Sequence, residues 1–284
     1  MTARILIVDG APAAAQDRLV GQGASRFAEN YQAALASQWP AGVGDLDCFV
    51  LAAGDGESLP QGMALTDFHG VAWTGSPFSV YQAHPAVTAQ IEFARAAFRS
   101  GVPCFGSCWG LQVMTAALGG TVQQHPNGFE IGIARQISLT EAGRAHSMYQ
   151  GKPAMFDALC IHQDEVCVLP HGARVLAGNA FSTIQAAEFV DGECSFWGVQ
   201  YHPEFDLRQI GAILRFAGER LVQLGLARSL AEAEQIAEDY TMLGREPRKD
   251  LAWHYGVGAD VLDAGRHRRE FANWLRVKVL PRVV

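Results

Sequence analysis

The segment that most restricts what this chain can fold into is Val102-Pro-Cys-Phe-Gly-Ser-Cys108-Trp-Gly-Leu-Gln112. A short apolar strand runs into a Gly-x-Cys-x-Gly turn. A helix follows, carrying Leu111, Met114 and Leu118 on its apolar side before Gly119-Gly120 ends it. Glycines at 106 and 110 let the backbone turn sharply and let neighbouring elements approach closely. The cysteine then projects above the sheet at a helix N-terminus, where the positive end of the dipole favours thiolate. This is the cysteine form of a nucleophile elbow. A buried cysteine in a glycine-rich bend is the plain alternative, and the strand before and helix after speak against it.

The flanking sequence supplies the sheet that such an elbow needs. Ile5 to Val8, Asp47 to Ala52 and Gly70 to Thr74 read as short buried strands. Helical spacing is expected from about Ser25 to Gln38 and again over Val87, Ile91, Ala94 and Phe98. Alternating strands and helices predict an α/β fold with a mainly parallel sheet flanked by helices. Gly21-Gln-Gly23-Ala-Ser-Arg lacks a third glycine and follows no strand directly, so it is not a dinucleotide loop. Residues 121–200 are richer in β signals, with turns at Asn127-Gly128, Pro170-His-Gly172 and Asp191-Gly192. After Glu204 the pattern becomes helical: Ile210, Ile213, Leu214, Ala217, Leu221 and Leu224 form a stripe. Ser229 and Glu232 form a capping box for a second helix, and Trp274-Leu275 sits near the end of a third. The expected organisation is a catalytic domain over 1–206 and a helical C-terminal extension over 207–284.

Composition narrows the function. A formal charge of -7 argues against a nucleic-acid or anionic-membrane surface. The late basic cluster (Arg266, Arg268, Arg269) reads as a solvated helix face. The N-terminal apolar run stops at Asp9, too short for a signal peptide, and no long apolar run follows, so a cytoplasmic protein is expected. In that compartment the six cysteines are expected as thiols, four or five of them buried.

A thiolate needs a base, and the base needs a group to fix its tautomer. Gly198-Val-Gln-Tyr-His202-Pro-Glu204-Phe offers both at a strand end. Period-two alternation puts His202 and Glu204 on one side, while Pro203 stiffens the connection. A strand ending at Thr74-Gly75-Ser76-Pro77 can present a backbone N–H to an oxyanion, paired with the N–H of Trp109.

These three segments, in this order, resemble the class I (triad-type) glutamine amidotransferases, and within them a stand-alone branch similar to the glutaminase domain of GMP synthetase. The likeness spans residues 1–206 and includes Glu130-Ile-Gly-Ile and His162-Gln-Asp164-Glu-Val166. It implies a flavodoxin-like fold, a γ-glutamyl thioester on Cys108, base/acid work by His202 and orientation by Glu204. It further implies an oxyanion hole from the amides of Ser76 and Trp109. Gly75, Gln112, His162 and Asp164 would hold the substrate, with no metal and no organic cofactor. The family's Gly-Gly-Pro turn reads Gly75-Ser76-Pro77 here, so φ at 76 must suit a Cβ. Trp109 is expected to shape the pocket by its bulk; Phe78, Tyr81 and Phe129 would also suit a large leaving group.

The partner expected is a small γ-glutamyl substrate, in one of two settings. The chain either hydrolyses a γ-glutamyl amine or peptide unaided, or passes ammonia from glutamine to a separate synthetase subunit. No ATP-binding segment is visible, which tilts the balance towards the first. A non-catalytic scaffold on the same fold is a third reading, and a homo-oligomer is left open.

Overall fold

The computed structural model describes residues 2–283. Its N-terminal part alternates β1 (Thr2–Val8), α1 (Ala13–Val20), α2 (Phe27–Gln38), β2 (Asp45–Leu51), β3 (Gly70–Trp73), α3 (Pro85–Arg99), β4 (Cys104–Ser107) and α4 (Trp109–Ala117). A β-rich stretch follows: β5 (Thr121–Gln124), β6 (Glu130–Leu139), a short α5 (Glu141–Ala145), β7 (Met155–His162), β8 (Asp164–Val168), β9 (Arg174–Gly178), β10 (Ala186–Asp191) and β11 (Cys194–Val199). The tail is helical: α6 (Leu207–Phe216), α7 (Gly218–Gln223), α8 (Leu230–Arg245), α9 (Lys249–His254), α10 (Ala259–Leu262), α11 (Ala264–His267) and α12 (Arg269–Trp274).

Nine strands form one sheet in the order β2-β1-β3-β4-β11-β10-β9-β6-β7, and β5 pairs with β8 beside it. The first five run parallel, and the rest continue antiparallel from β11. Period-two alternation sorts the core. Ile5 and Ile7 face α2 and α12, where Tyr31, Leu35, Phe271 and Trp274 pack. Leu6 and Val8 face α3 and α4, with Val87, Phe98, Leu111 and Met114. A third cluster, with Phe205, Ile213 and Leu214, joins α6 and α8 to β6 and β7. Val8 lies level with Leu51 and Trp73, and Ser107 level with Val199. The turns after β1, β3, β4 and β11 therefore open on one edge, where α/β sheets place their ligands.

Several expectations change here. Helix α1 was not foreseen. It lacks a sequence-adjacent cap, because both carboxylate oxygens of Asp55 accept from the Ala13 amide at 3.1 Å. Gly21 and Gly23 close this helix and start the next turn. The basic cluster is not a solvated face: only Arg266 is exposed, while Arg268 and Arg269 are half-buried and Arg268 donates to Ser37 Oγ at 3.0 Å. Cys104, Cys108 and Cys160 are buried, and the other three free cysteines only half-buried, fewer than expected. The capping box is half present. Ser229 Oγ accepts from the Glu232 amide, but the Glu232 carboxylate accepts from Arg228.

Candidate active site

Cys108 sits between β4 and α4 with φ 49 and ψ -101, a conformation that a side chain with a Cβ rarely adopts. The surrounding bonds hold it there. Its amide donates to Val199 O at 2.8 Å, and its carbonyl accepts the Gln112 amide at 3.1 Å. A Cβ added at Gly110 would stand 2.7 Å from Trp73 Cβ, so the helix can start this close to β3 only as glycine. Cys108 is 7% exposed, and its Sγ lies 3.6 Å from Ile161 O.

His202 and Glu204 follow β11 and are almost fully buried. Glu204 Oε1 lies 2.7 Å from His202 Nδ1, which leaves Nε2 facing the same Ile161 carbonyl as the thiol, at 3.4 Å. The Phe205 ring stacks on the imidazole at 4.1 Å and 6°. Burial alone would lower the pKa of His202. The charge of Glu204 and hydrogen bonds to Cys108 and Glu204 outweigh it and lift the group to about 10. The pair is thus set to hold a proton next to sulfur.

Glu204 is itself supported from the sheet. Ser107 Oγ donates to Glu204 Oε1 at 2.8 Å. Having spent its one hydrogen, Ser107 Oγ must accept from Tyr31 OH at 2.6 Å, while Tyr31 OH takes the Ser107 amide at 3.1 Å. Burial, and then the charge of Glu204, push the Tyr31 phenol well above its usual range, so it stays a neutral donor. The sequence reading missed Tyr31 and Ser107. Ser in Gly-Ser-Cys was the only available signal, and nothing local ties it to a carboxylate 97 residues away.

Gly75 packs against His202: a Cβ there would be 3.0 Å from Cε1. Ser76 is not among the residues with positive φ, so its Cβ is accommodated, and its Oγ accepts from the Phe78 amide at 3.2 Å. Among the described residues, neither the Ser76 nor the Trp109 amide donates to another protein group. Gln112 Nε2 donates to Asp164 O at 3.1 Å and to Gln200 Oε1 at 3.3 Å. His162 is paired to Glu130 Oε2 at 2.8 Å and reaches Asp164 O at 3.1 Å. Asp164 Oδ1 accepts from Tyr81 OH at 2.9 Å.

Cys108, His202, Gly75, Ser76, Gln112, His162 and Asp164 border one cavity of about 310 Å³. Glu204 lies behind the imidazole. The expectation that the bulk of Trp109 shapes this cavity is wrong. Its ring points beneath Gly10, and Nε1 donates to Gln90 Oε1 at 2.8 Å. It touches the cavity only through Phe78, whose ring centroid is 6.1 Å away. Phe78 and Phe129 do line the cavity, whereas Tyr81 stands behind Asp164. The sequence reading missed the far wall, which α1 and α6 supply through Arg18, Leu19, Ile213 and Phe216.

Comparison with known proteins gives the family. The family model for "Glutamine amidotransferase class-I" matches residues 55–218. A "Gamma-glutamyl-L-1-hydroxyisopropylamide hydrolase" from a Pseudomonas species is 35% identical over 292 residues, covering 98% of this chain and 94% of that protein. The glutamine-hydrolyzing GMP synthase of Streptomyces coelicolor is 33% identical over 134 residues, but these cover 46% of this chain and 23% of the synthase. A glutamine amidotransferase structure from Thermotoga maritima superposes with a TM-score of 0.65 at 16% identity, covering 95% of this chain and 98% of that one. The chain belongs to the class I glutamine amidotransferase family.

Proposed function

We propose that this chain is a γ-glutamyl amide hydrolase that releases glutamate and an amine larger than ammonia. One observation carries it: a strained, buried cysteine faces a buried, hydrogen-bonded His–Glu pair at the floor of a cavity with aromatic walls. A hydrolase of a γ-glutamyl amide that matches this chain along nearly its whole length supports the same reading.

In the first half-reaction the Cys108 thiolate attacks the γ-carbonyl carbon. The amides of Ser76 and Trp109 receive the charge that develops on oxygen. The C–N bond breaks as His202 Nε2 gives its proton to the departing nitrogen, leaving a γ-glutamyl thioester. In the second half, His202 takes a proton from water, hydroxide adds to the thioester, and sulfur leaves as thiolate with glutamate free. The balance is amide plus water to carboxylate plus ammonium. Glu204 holds the imidazole with Nε2 towards sulfur throughout. Gln112, His162 and Asp164 lie where the amino-acid end of the glutamyl group would rest, with Gly75 letting the substrate and His202 approach. The six free cysteines fit a reducing, cytoplasmic compartment, and among the described residues no helix is long and apolar enough to cross a membrane.

The test is glutamate release from glutamine and from a panel of γ-glutamyl amines, with Cys108→Ala as control. Faster turnover of the bulky amides than of glutamine is expected, lost in the variant. Activity on glutamine alone would instead favour a glutaminase feeding a separate synthetase, and activity retained by Cys108→Ala would defeat the thioester mechanism.

A further inference from the structure

We propose that the wall built by α1 and α6 is the leaving-amine subsite, in which Phe216 and Arg18 select an amine bearing an apolar body and a carboxylate. The preferred substrate is then a γ-glutamyl amino acid. This rests on the hydrolase reading above and adds which amine departs.

The cavity has two ends. Gln112, His162, Tyr81 and Asp164 are joined by hydrogen bonds at one end. The other end is reached through the imidazole. His202 stacks on Phe205, whose ring lies 5.9 Å from Phe27, and Leu19, Phe27 and Ile213 pack in that same cluster. Phe216 and Arg18 line the same cavity and are both solvent-exposed, which puts them at its mouth. A departing amine must leave on the side from which His202 delivers its proton, because proton donor and nitrogen must be in contact. The glutamyl end therefore occupies the Gln112–Asp164 side, and the amine faces α1 and α6.

The chemistry of that wall then sets the amine. Nearest the imidazole it is apolar and aromatic, so the side chain on the carbon beside nitrogen should be hydrocarbon. At the mouth the Arg18 guanidinium lies 5.9 Å from the centre of the Phe216 ring. The cations around it are neutralised: Arg26 pairs with Asp17 at 2.5 Å, and Arg215 with Glu234 and Glu238 at 2.7 and 3.1 Å. Arg18 has no acidic partner among the described residues. A guanidinium fork with free donors matches a carboxylate with two parallel bonds, which a hydroxyl cannot supply.

The wall is also fixed in advance, so a substrate need not order it. Gln16 Nε2 donates to Asp9 Oδ2 at 3.0 Å while Gln16 Oε1 accepts the Phe27 amide at 2.8 Å. Gln209 of α6 clasps both backbone groups of Ser25, at 2.8 and 3.2 Å. Arg215 reaches the Gln22 carbonyl at 3.2 Å. Helices α1 and α6 are thus tied through the 22–26 turn, which lowers the ordering cost of binding.

The test compares γ-glutamyl-leucine with γ-glutamyl-isopentylamide, the same amine without its carboxylate. The wild type should favour the acid in kcat/KM by about two- to fivefold, the range of a charge pair at an exposed site. Arg18→Leu should bring that ratio to about one, chiefly by raising KM for the acid, and Arg18→Lys should keep part of it. High salt should erode the preference in the wild type but not in Arg18→Leu. Turnover of both compounds with no preference for the acid, or a preference that survives Arg18→Leu, overturns the subsite and leaves the hydrolase reading intact. No turnover of either compound, together with no binding of either by Cys108→Ala in calorimetry, overturns both.

Discussion

The parallel half of the sheet and the helical tail are buried alike but organised differently. At β3, β4 and β11, each chemical group stands within a few residues of a strand end, so a short segment sets both its identity and its place. The tail works at long range. Phe271, Trp274, Leu275 and Val279 are fully buried in the same cluster as Ile5, Phe105 and Trp197. Glu270, with no exposed surface, accepts from Tyr201 OH at 2.6 Å and pairs with the buried Lys152. The lesson is that one half should fail chemically and the other thermodynamically, and substitutions can separate the two.

The largest effect should come from Cys108. Cys108→Gly removes the proposed nucleophile, and glutamate release should fall by roughly 10⁴-fold or more. The same change frees a residue at φ 49 from a strain of about 1–3 kcal/mol, partly offset by the flexibility glycine adds to the unfolded chain. The inactive glycine variant should therefore melt above both Cys108→Ala and the wild type in calorimetry. A lower melting temperature for Cys108→Gly than for Cys108→Ala would mean the elbow stores no strain.

The tail should show the opposite profile. Glu270→Leu leaves the Lys152 ammonium buried without its partner and the Tyr201 hydroxyl without its acceptor. Breaking a buried pair in this way costs about 3–5 kcal/mol. Urea unfolding should show that loss, and the surviving folded fraction should keep most of its kcat. A collapse of kcat with unchanged stability would show that Glu270 acts on His202 through Tyr201, and the division between the two halves would fail.

His202 blurs the division in a way that pH exposes. Its folded pKa, about 10, lies above the ordinary 6.5, so folding favours the protonated form. The stability this contributes is complete below about pH 6.5 and lost as pH rises to about 10. Between those limits the wild type should lose a few kcal/mol more than His202→Gln, on the order expected for a shift of this size. Parallel stability curves for the two proteins would remove the raised pKa.

What the sequence made legible follows the same line. Cys108, His202 and Glu204 were nameable because the turn chemistry and period-two spacing of one segment locate each, whereas Gly75 came only through the family resemblance. Arg18 and Phe216 were not, since only the clasp between α1 and α6 brings them to one wall. Helix α1 escaped notice because its cap is Asp55, beyond a whole strand. Trp109 was assigned the right position and the wrong direction. Its backbone belongs to the elbow, but the side chain of a first-turn residue is aimed by what it packs under, here Gly10 and Gln90. The boundary at 206/207 stays a proposal: removing 207–284 would strip Phe271 and Trp274 from the main core, so a soluble, cooperatively melting 1–206 fragment is its test.

The smallest effect probes the one tail signal that is local. Ser229 Oγ takes the Glu232 amide at 3.2 Å and so satisfies one of the free donors that open α8. Because the Glu232 carboxylate turns to Arg228 instead of closing the box, Ser229 carries this cap alone. Ser229→Ala should cost about 1 kcal/mol. Since α8 packs on α6, which carries Ile213 and Phe216, the same variant asks how rigidly the tail holds the cavity wall. A small drop in melting temperature with unchanged kinetics on γ-glutamyl substrates would mean the clasp at Ser25 and Gln22 suffices to hold α6. A rise in KM for bulky amides alone would mean that α8 sets the wall as well, and the tail would then share in the chemistry it otherwise only supports.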